Sequence, residues 1–158
     1  MQIRPLTDAD ADAVLGLNAE SVLATSPLDE AALESQRSMA AEALVYDVDG
    51  QVAAFALAYA PGSPYQSANS RWQSERFDDF LYLDRIVVGA GFRRRGIASA
   101  LYDELETMAS KHGRMVCEVY SQPPNTVSLA FHHGRGYVEI GHLDQPNGHQ
   151  VVMLEKPL

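Results

Sequence analysis

The chain has 158 residues, of which 46% are hydrophobic, and this size suits a single domain, residues 1–158, with a sizeable core. Twelve basic against 21 acidic residues give a formal net charge of −9, which disfavours nucleic acid and anionic membrane surfaces as partners. The single cysteine, Cys117, excludes an internal disulfide. No apolar run approaches the roughly 20 residues of a membrane helix, and the first residues lack the pattern of a secretory signal, so we expect a cytoplasmic protein.

Hydrophobic periodicity predicts strands and helices along the whole chain. The predicted elements are, in order, strand 3–6, a helix that follows the capping residues 7–10 and runs to about Leu23 with Val22 facing inward, helix 26–37, strands 43–48, 51–59 and 80–88, helix 96–112, strand 115–120, helix 126–133, and strands 137–143 and 149–155. Residues 60–79 are polar and interrupted by prolines, so we predict a long functional loop there. Cys117 falls in a predicted strand, where a buried core position is favoured over a nucleophile.

The segment from Val88 to Ser99 joins a strand to a helix through a turn rich in glycine and arginine. N–H groups at a helix start lack intrahelical partners, the helix dipole adds positive charge, and glycine allows close approach, so the turn suits a pyrophosphate. Its spacing is neither that of a GxGxxG turn nor that of a GxxxxGK loop. Taken alone, the turn is equally consistent with a solvated arginine loop that caps a helix.

Arg93, Gly96 and Ala98 have the spacing (Gln or Arg)-x-x-Gly-x-(Gly or Ala), and here the chain resembles the GNAT superfamily of N-acetyltransferases, including a bacterial subgroup of predicted acetyltransferases. The resemblance implies an α/β fold with a mixed, mostly antiparallel sheet of six or seven strands, helices on both faces and splayed central strands. It also implies that the turn and the preceding strand bind acetyl-coenzyme A. The implied cofactor-binding residues here are Ile86, Val87, Val88, Arg93, Arg94, Arg95, Gly96, Ile97, Ala98 and Ser99.

A second segment resembles the family's motif Asn-x-x-(Ala or Ser)-x-x-(Phe or Leu)-Tyr-x-x-x-Gly-Phe, with Asn125, Ser128 and Phe131 at matching positions. By this resemblance the three residues belong to the cofactor site, and Asn125 bonds the pantetheine arm as well as capping a helix. The family's tyrosine, which often protonates the departing thiolate, is replaced by His132. An imidazolium also donates protons, so His132 is either the general acid or a structural histidine.

Glu118 occupies the glutamate of the family's Leu-Glu-Val strand and is the candidate general base, since an alkylammonium must lose a proton before it attacks. The alternative is a solvated strand residue. Asp84 and Tyr82 share a face of the preceding strand and are the reserve candidates. Arg85 would pair with an acidic substrate or with the neighbours of Asp84.

The sequence thus predicts an enzyme that transfers acetyl from acetyl-coenzyme A to a primary amine of a small molecule or peptide through a tetrahedral intermediate. The alternative is a coenzyme A-binding regulatory module with little or no turnover.

Acidic surroundings favour a cationic acceptor. The five histidines lack the spacing of metal ligands, so no metal is expected. The sequence is also compatible with a homodimer. The residues expected to line the acceptor site are Tyr59, Tyr65, Trp72, Phe77 and Asp78.

Overall fold

A seven-stranded sheet forms the centre of the protein in a computed structural model that describes residues 1–21 and 25–158. The strands are β1 (Gln2–Pro5), β2 (Glu42–Val48), β3 (Gln51–Tyr59), β4 (Leu81–Val88), β5 (Arg114–Gln122), β6 (Val138–Asp144) and β7 (Gln150–Pro157). They lie in the order β1-β2-β3-β4-β5-β7-β6, and every neighbouring pair is antiparallel except β4 and β5, which are parallel. The expected mixed, mostly antiparallel sheet is therefore confirmed.

The two central strands separate soon after they begin. β4 and β5 pair only through Leu81 with Met115 and Tyr82 with Val116, whereas each strand remains paired with its other neighbour along its length. A bulge in β4 leaves Asp84 without an opposite residue on β3, and bulges re-aim the side chains around them. The sheet therefore opens a gap between β4 and β5, as the predicted splay requires.

Helices cover both faces of this sheet. They are α1 (Ala11–Glu20), α2 (Glu30–Met39), α3 (Ala68–Ser74), α4 (Ile97–Ala109) and α5 (Thr126–Gly134). One core cluster contains Ile97 and Leu101 of α4, and another contains Val14 of α1 and Leu33 of α2. Among residues 1–21 and 25–158, no helix combines the length and the apolar character needed to cross a membrane.

The structure corrects the predicted start of the second helix. Helix α2 begins at Glu30 rather than residue 26, because the Asp29 side chain caps it by accepting a hydrogen bond from the Ala32 N–H at 2.8 Å. Residues 8–10 form a 3-10 turn that precedes α1. The predicted end of the first helix at Leu23 and the inward position of Val22 lie outside the described residues.

The segment 60–79, predicted as a loop, contains helix α3. Ser67 and Ser70 form a reciprocal capping box, with Ser67 Oγ accepting from the Ser70 N–H at 3.0 Å and Ser70 Oγ accepting from the Ser67 N–H at 2.9 Å. The helix buries Trp72 against Val151 and Met153 of β7. This packing fixes α3 beside the gap between the central strands.

Gly141 of β6 provides the space for Trp72, which leads to a stability prediction. A Cβ at Gly141 would lie 2.5 and 2.9 Å from two ring atoms of Trp72. We expect Gly141→Ala to lower the free energy of unfolding by about 1–3 kcal/mol, measured by urea denaturation, because overpacking forces the ring to move. Gly16→Ala in α1, where a Cβ meets no atom within 4 Å, is the control and should leave stability unchanged or raised.

Candidate active site

The turn after β4 leads into α4 without any side-chain cap. Gly96, at the N-cap, has a φ of 78°, and Arg94 has a φ of 62°, so both adopt the left-handed conformation. Because the first N–H groups of a helix lack intrahelical partners, those at the start of α4 are open to an anion. Arg93 donates to the Val88 carbonyl at 3.3 Å, whereas Arg94 is exposed and bonds to no described residue. The turn thus combines N–H donors with positive charge.

The gap between β4 and β5 opens into a cavity of about 390 Å³. Apolar side chains from both central strands line part of this cavity, including Leu83 and Ile86 of β4 and Val119 of β5. Asn125, at the N-cap of α5, also lines it, with its Oδ1 accepting from the Ser128 N–H at 3.2 Å. Unpaired backbone groups of separated strands are available to an extended ligand that enters as an added strand.

His132 and Tyr102 form a buried hydrogen-bonded pair that lines the cavity. His132 Nδ1 lies 2.7 Å from the Ser128 carbonyl oxygen, and its Nε2 lies 2.6 Å from the Tyr102 hydroxyl. A carbonyl only accepts hydrogen bonds, so this network assigns the ring proton to Nδ1 and makes Nε2 the acceptor for the Tyr102 hydroxyl. Burial lowers the pKa of His132 and raises that of Tyr102 well above its usual value, so both groups are neutral at pH 7.

Glu118, on β5, also lines the cavity. Its Oε1 accepts from the Tyr82 hydroxyl at 2.8 Å and from Asn69 Nδ2 at 3.0 Å, while its Oε2 has no hydrogen-bond partner among the described residues. Burial, reinforced by the nearby charge of Asp84, raises the pKa of Glu118 to about 8. A carboxylate with this pKa is poised to accept a proton near neutral pH.

Asp84 is the second carboxylate that lines the cavity. Its Oδ1 accepts from the Tyr65 hydroxyl at 2.9 Å and lies 3.2 Å from the Tyr82 hydroxyl. A phenol donates one proton, and the shorter distance from Tyr82 to Glu118 favours the latter as its acceptor. Burial raises the pKa of Asp84 as well. We call Glu118, Asp84, Tyr82 and Tyr65 the acidic cluster.

The family model described as "Acetyltransferase (GNAT) family" matches residues 15–137. The chain belongs to this family. It is therefore a GNAT acetyltransferase, and acetyl-coenzyme A is the acetyl donor that this family uses. No protein with a curated function matches the chain significantly.

Solved structures share the fold of this GNAT acetyltransferase over nearly its whole length. Ard1 from Thermoplasma volcanium is 19% identical with a TM-score of 0.80, and the alignment covers 99% of this chain and 97% of that one. The ribosomal-protein-alanine N-acetyltransferase from Brucella melitensis is 24% identical with a TM-score of 0.75, over 100% of both chains. Naa20 from Chaetomium thermophilum, solved with a bisubstrate analogue, is 16% identical with a TM-score of 0.74, over 100% of this chain and 87% of that one.

The predicted cofactor residues fall into several groups. Ile86, Asn125 and Ser128 line the cavity, residues 93–96 lie in the turn described above, and residues 97–99 begin α4, with Ile97 buried in the core. Val88 is half-buried against the core cluster that contains Leu101. Val87 belongs to the core cluster beneath α1 and α2, so only its backbone is available to the gap. Phe131 packs edge to face on the ring of the buried tyrosine of α4, with centroids 5.1 Å apart, and does not line the cavity.

Of the five residues expected to line the acceptor site, one lines this cavity and four do not. Tyr65 lines the cavity, but Tyr59 is buried and stacks on Tyr65 with ring centroids 4.1 Å apart. Trp72 packs under the last hairpin, Phe77 lies beneath an arginine side chain of β5, and Asp78 is exposed. The capping box that starts α3 was a signal in the sequence that predicts this helix.

Several cavity residues were not predicted. Ser67 and Asn69 come from α3 and its cap, Gln145 follows β6, and Tyr102 comes from α4. Asn69 donates to Glu118 and also exchanges hydrogen bonds with the Gln145 amide, so α3 and the last hairpin meet at the candidate base.

Proposed function

We propose that this acetyltransferase transfers an acetyl group from acetyl-coenzyme A to a primary amine of a small molecule or peptide by direct attack. The observation that carries the proposal is one cavity that holds a buried, partly unpartnered carboxylate, Glu118, and continues into the gap between the central strands. Acetyl-coenzyme A supplies the activated acetyl carbon when it is bound. The amine nitrogen forms the new C–N bond, and the C–S bond to the thiol breaks.

Glu118 acts as the general base in this proposal. An alkylammonium with a pKa near 10 carries a proton at pH 7, and it must lose that proton before its nitrogen can attack. The carboxylate takes it either directly or through a water. Once ionised, the carboxylates of the acidic cluster also favour a cationic amine over a neutral alcohol as the acceptor, because opposite charges attract strongly at a desolvated site.

The proton for the departing sulfur comes from the Tyr102–His132 pair in this proposal. Nδ1 of the neutral imidazole carries the ring proton and donates it to the Ser128 carbonyl. Nε2 is therefore unprotonated and accepts a hydrogen bond from the Tyr102 hydroxyl. The acid role considered for His132 alone therefore passes to the pair: the Tyr102 hydroxyl turns from His132 Nε2 to the departing sulfur and gives it its one proton. The resulting phenolate regains a proton from solvent after the thiol leaves.

The proposed cofactor cradle yields a binding prediction. Arg94→Glu should raise the Kd of acetyl-coenzyme A about 10-fold or more, because a carboxylate replaces a cation beside the phosphates. Lys111→Glu makes the same charge change just beyond the opposite end of α4, roughly 20 Å away, and should leave Kd within about 2-fold. Isothermal titration calorimetry measures both. Equal changes in the two variants would indicate a whole-molecule field and contradict the cradle.

Thiol release with an amine panel, combined with thermal unfolding, tests the proposed function. We expect acetyl-coenzyme A at 100 times its Kd to stabilise the protein by about 2.7 kcal/mol, and at least one amine to trigger release of free thiol. Stabilisation without thiol release for any amine would support the alternative, a regulatory coenzyme A-binding module. Absence of both would contradict each of them.

A further inference from the structure

Arg85 is a buried cation in the same cavity as the acidic cluster. It is 5% exposed and lines the cavity. Its Nη1 donates to Asn18 Oδ1 at 2.7 Å and to the Ser26 carbonyl at 2.6 Å, and its Nη2 donates to Ser26 Oγ at 2.6 Å. All three acceptors are neutral. The guanidinium thus anchors the chain on both sides of residues 22–24 without any compensating negative charge from these partners.

Among the described residues, part of the hydrogen-bonding capacity of Arg85 has no partner. Nε has no acceptor there and is closed off from solvent, whereas Nη2 carries a second N–H beyond the one given to Ser26. This second N–H suits an oxygen of a carboxylate bound in the cavity that Arg85 lines. Within residues 1–21 and 25–158, no ion pair involves Arg85, and residues 22–24 are Val, Leu and Ala.

The nearest carboxylate in the chain, Asp84, is engaged elsewhere. Asp84 is the extra residue of the bulge in β4, and its side chain bonds with Tyr65 and Tyr82. The cavity therefore holds an acidic cluster and a basic group, and while burial raises the pKa of Asp84, the charge of Arg85 acts in the opposite direction. A buried charge is costly unless it is paired, so an anion hydrogen-bonded to Arg85 would add to the partial compensation that Asp84 gives without a direct ion pair.

We infer that the acceptor is a small aminocarboxylate, whose carboxylate binds the Arg85 guanidinium while its primary amine lies at the acidic cluster. This inference rests on the proposed function and adds no covalent step to it. The whole cavity, including the part between the central strands, has a volume of about 390 Å³, which suits a compact acceptor. A compact molecule with one amine and one carboxylate fits both charge and size, whereas a long polycation leaves Arg85 unpaired.

Matched acceptors test the inference on the wild-type protein. The compounds 4-aminobutanoate and butylamine, and likewise 5-aminopentanoate and pentylamine, have ammonium groups of similar pKa and differ in the carboxylate. We expect kcat/KM for thiol release to be about 10–100-fold higher for each aminocarboxylate, the size of a charge-assisted hydrogen-bonded pair. Arg85→Met should abolish this preference, and Arg85→Lys should retain part of it. A melting-temperature shift with acetyl-coenzyme A confirms that each variant folds.

A second measurement does not depend on turnover. In the presence of coenzyme A, 4-aminobutanoate should raise the melting temperature of the wild-type protein more than butylamine does, and Arg85→Met should remove the difference. Equal or better turnover and equal or greater stabilisation with the alkylamines would overturn the inference while leaving the proposed function intact. Selective stabilisation by the aminocarboxylates without thiol release for any amine would instead contradict the proposed function.

Discussion

Glu118→Gln is expected to lower kcat/KM for the best acceptor by about 10²- to 10⁴-fold, the range that one general base contributes. Glutamine keeps the size of the side chain and still accepts the hydrogen bond from the Tyr82 hydroxyl. It cannot take a proton, so only the small fraction of amine that is already neutral in solution reacts. Initial rates of thiol release measured from pH 6 to 10 check this expectation.

The pH dependence of activity distinguishes the ionisation of Glu118 from that of the amine acceptor. In the wild-type enzyme, activity should rise as Glu118 ionises around its pKa of about 8, and the variant should lose this limb while the limb of the amine near pH 10 remains. Since the charge of Asp84 helps to raise the pKa of Glu118, Asp84→Asn should move the limb to lower pH. Both effects follow from the same buried carboxylate.

Glu104→Gln, an exposed change on α4, is the matched control and should leave the profile unchanged. If the Glu118→Gln variant kept the limb near pH 8 and lost less than 10-fold in kcat/KM, Glu118 would be a structural carboxylate. The base would then have to be sought in Asp84, the reserve candidate on the neighbouring strand.

The raised pKa of Glu118 also predicts a pH-dependent stability. Its pKa rises from 4.5 to about 8 on folding, so between these values the unfolded chain releases a proton that the native protein retains. The free energy of unfolding should therefore fall as pH rises through this window, by at most about 1.4 kcal/mol per pH unit. Glu118→Gln should lack this slope, which urea denaturation at several pH values measures independently of catalysis.

Local sequence signals were sufficient for most of the fold but not for the shape of its central strand. Asp49-Gly50 predicts the hairpin between β2 and β3, and both glycines at 96 and 113 lie at helix boundaries, where their left-handed conformations require them. The bulge at Asp84 has no such signal, because it depends on the register of β4 against β3. Successive residues of a regular strand face opposite sides of the sheet, whereas Asp84 and Arg85 at this bulge both line the same cavity.

The candidate site shows the same limit. The motif around Asn125 and the strand of Glu118 were recognisable because each is contiguous in sequence. The partners of Glu118 are not, since Asn69 is 49 residues away along the chain and Tyr82 is 36 residues away. Tyr102 resembles any core residue of an amphipathic helix until the fold brings it to His132, 30 residues later. Hydrogen bonds between distant segments need the three-dimensional structure.

Tyr102→Phe is expected to lower kcat by about 10²-fold or more, with the Kd of acetyl-coenzyme A largely unchanged. The change removes the hydroxyl and keeps the ring that packs in the core. It also leaves His132 Nε2 without a donor, so we expect a loss of about 1–3 kcal/mol in unfolding free energy. His132→Phe should lower kcat as well, and the double variant should be no slower than the slower single one, because the two residues act as a unit.

Tyr137→Phe provides the matched control for this pair. Tyr137 is also buried beside His132, but its hydroxyl donates to Glu106 at 3.1 Å and does not line the cavity. Its removal costs a buried hydrogen bond of the same kind without touching the proposed proton donor. If Tyr102→Phe and Tyr137→Phe reduced kcat equally, the Tyr102–His132 pair would be structural. A loss confined to Tyr102→Phe, with acetyl-coenzyme A still bound, would instead place the proton donor on α4, one helix away from the position that the family's tyrosine occupies.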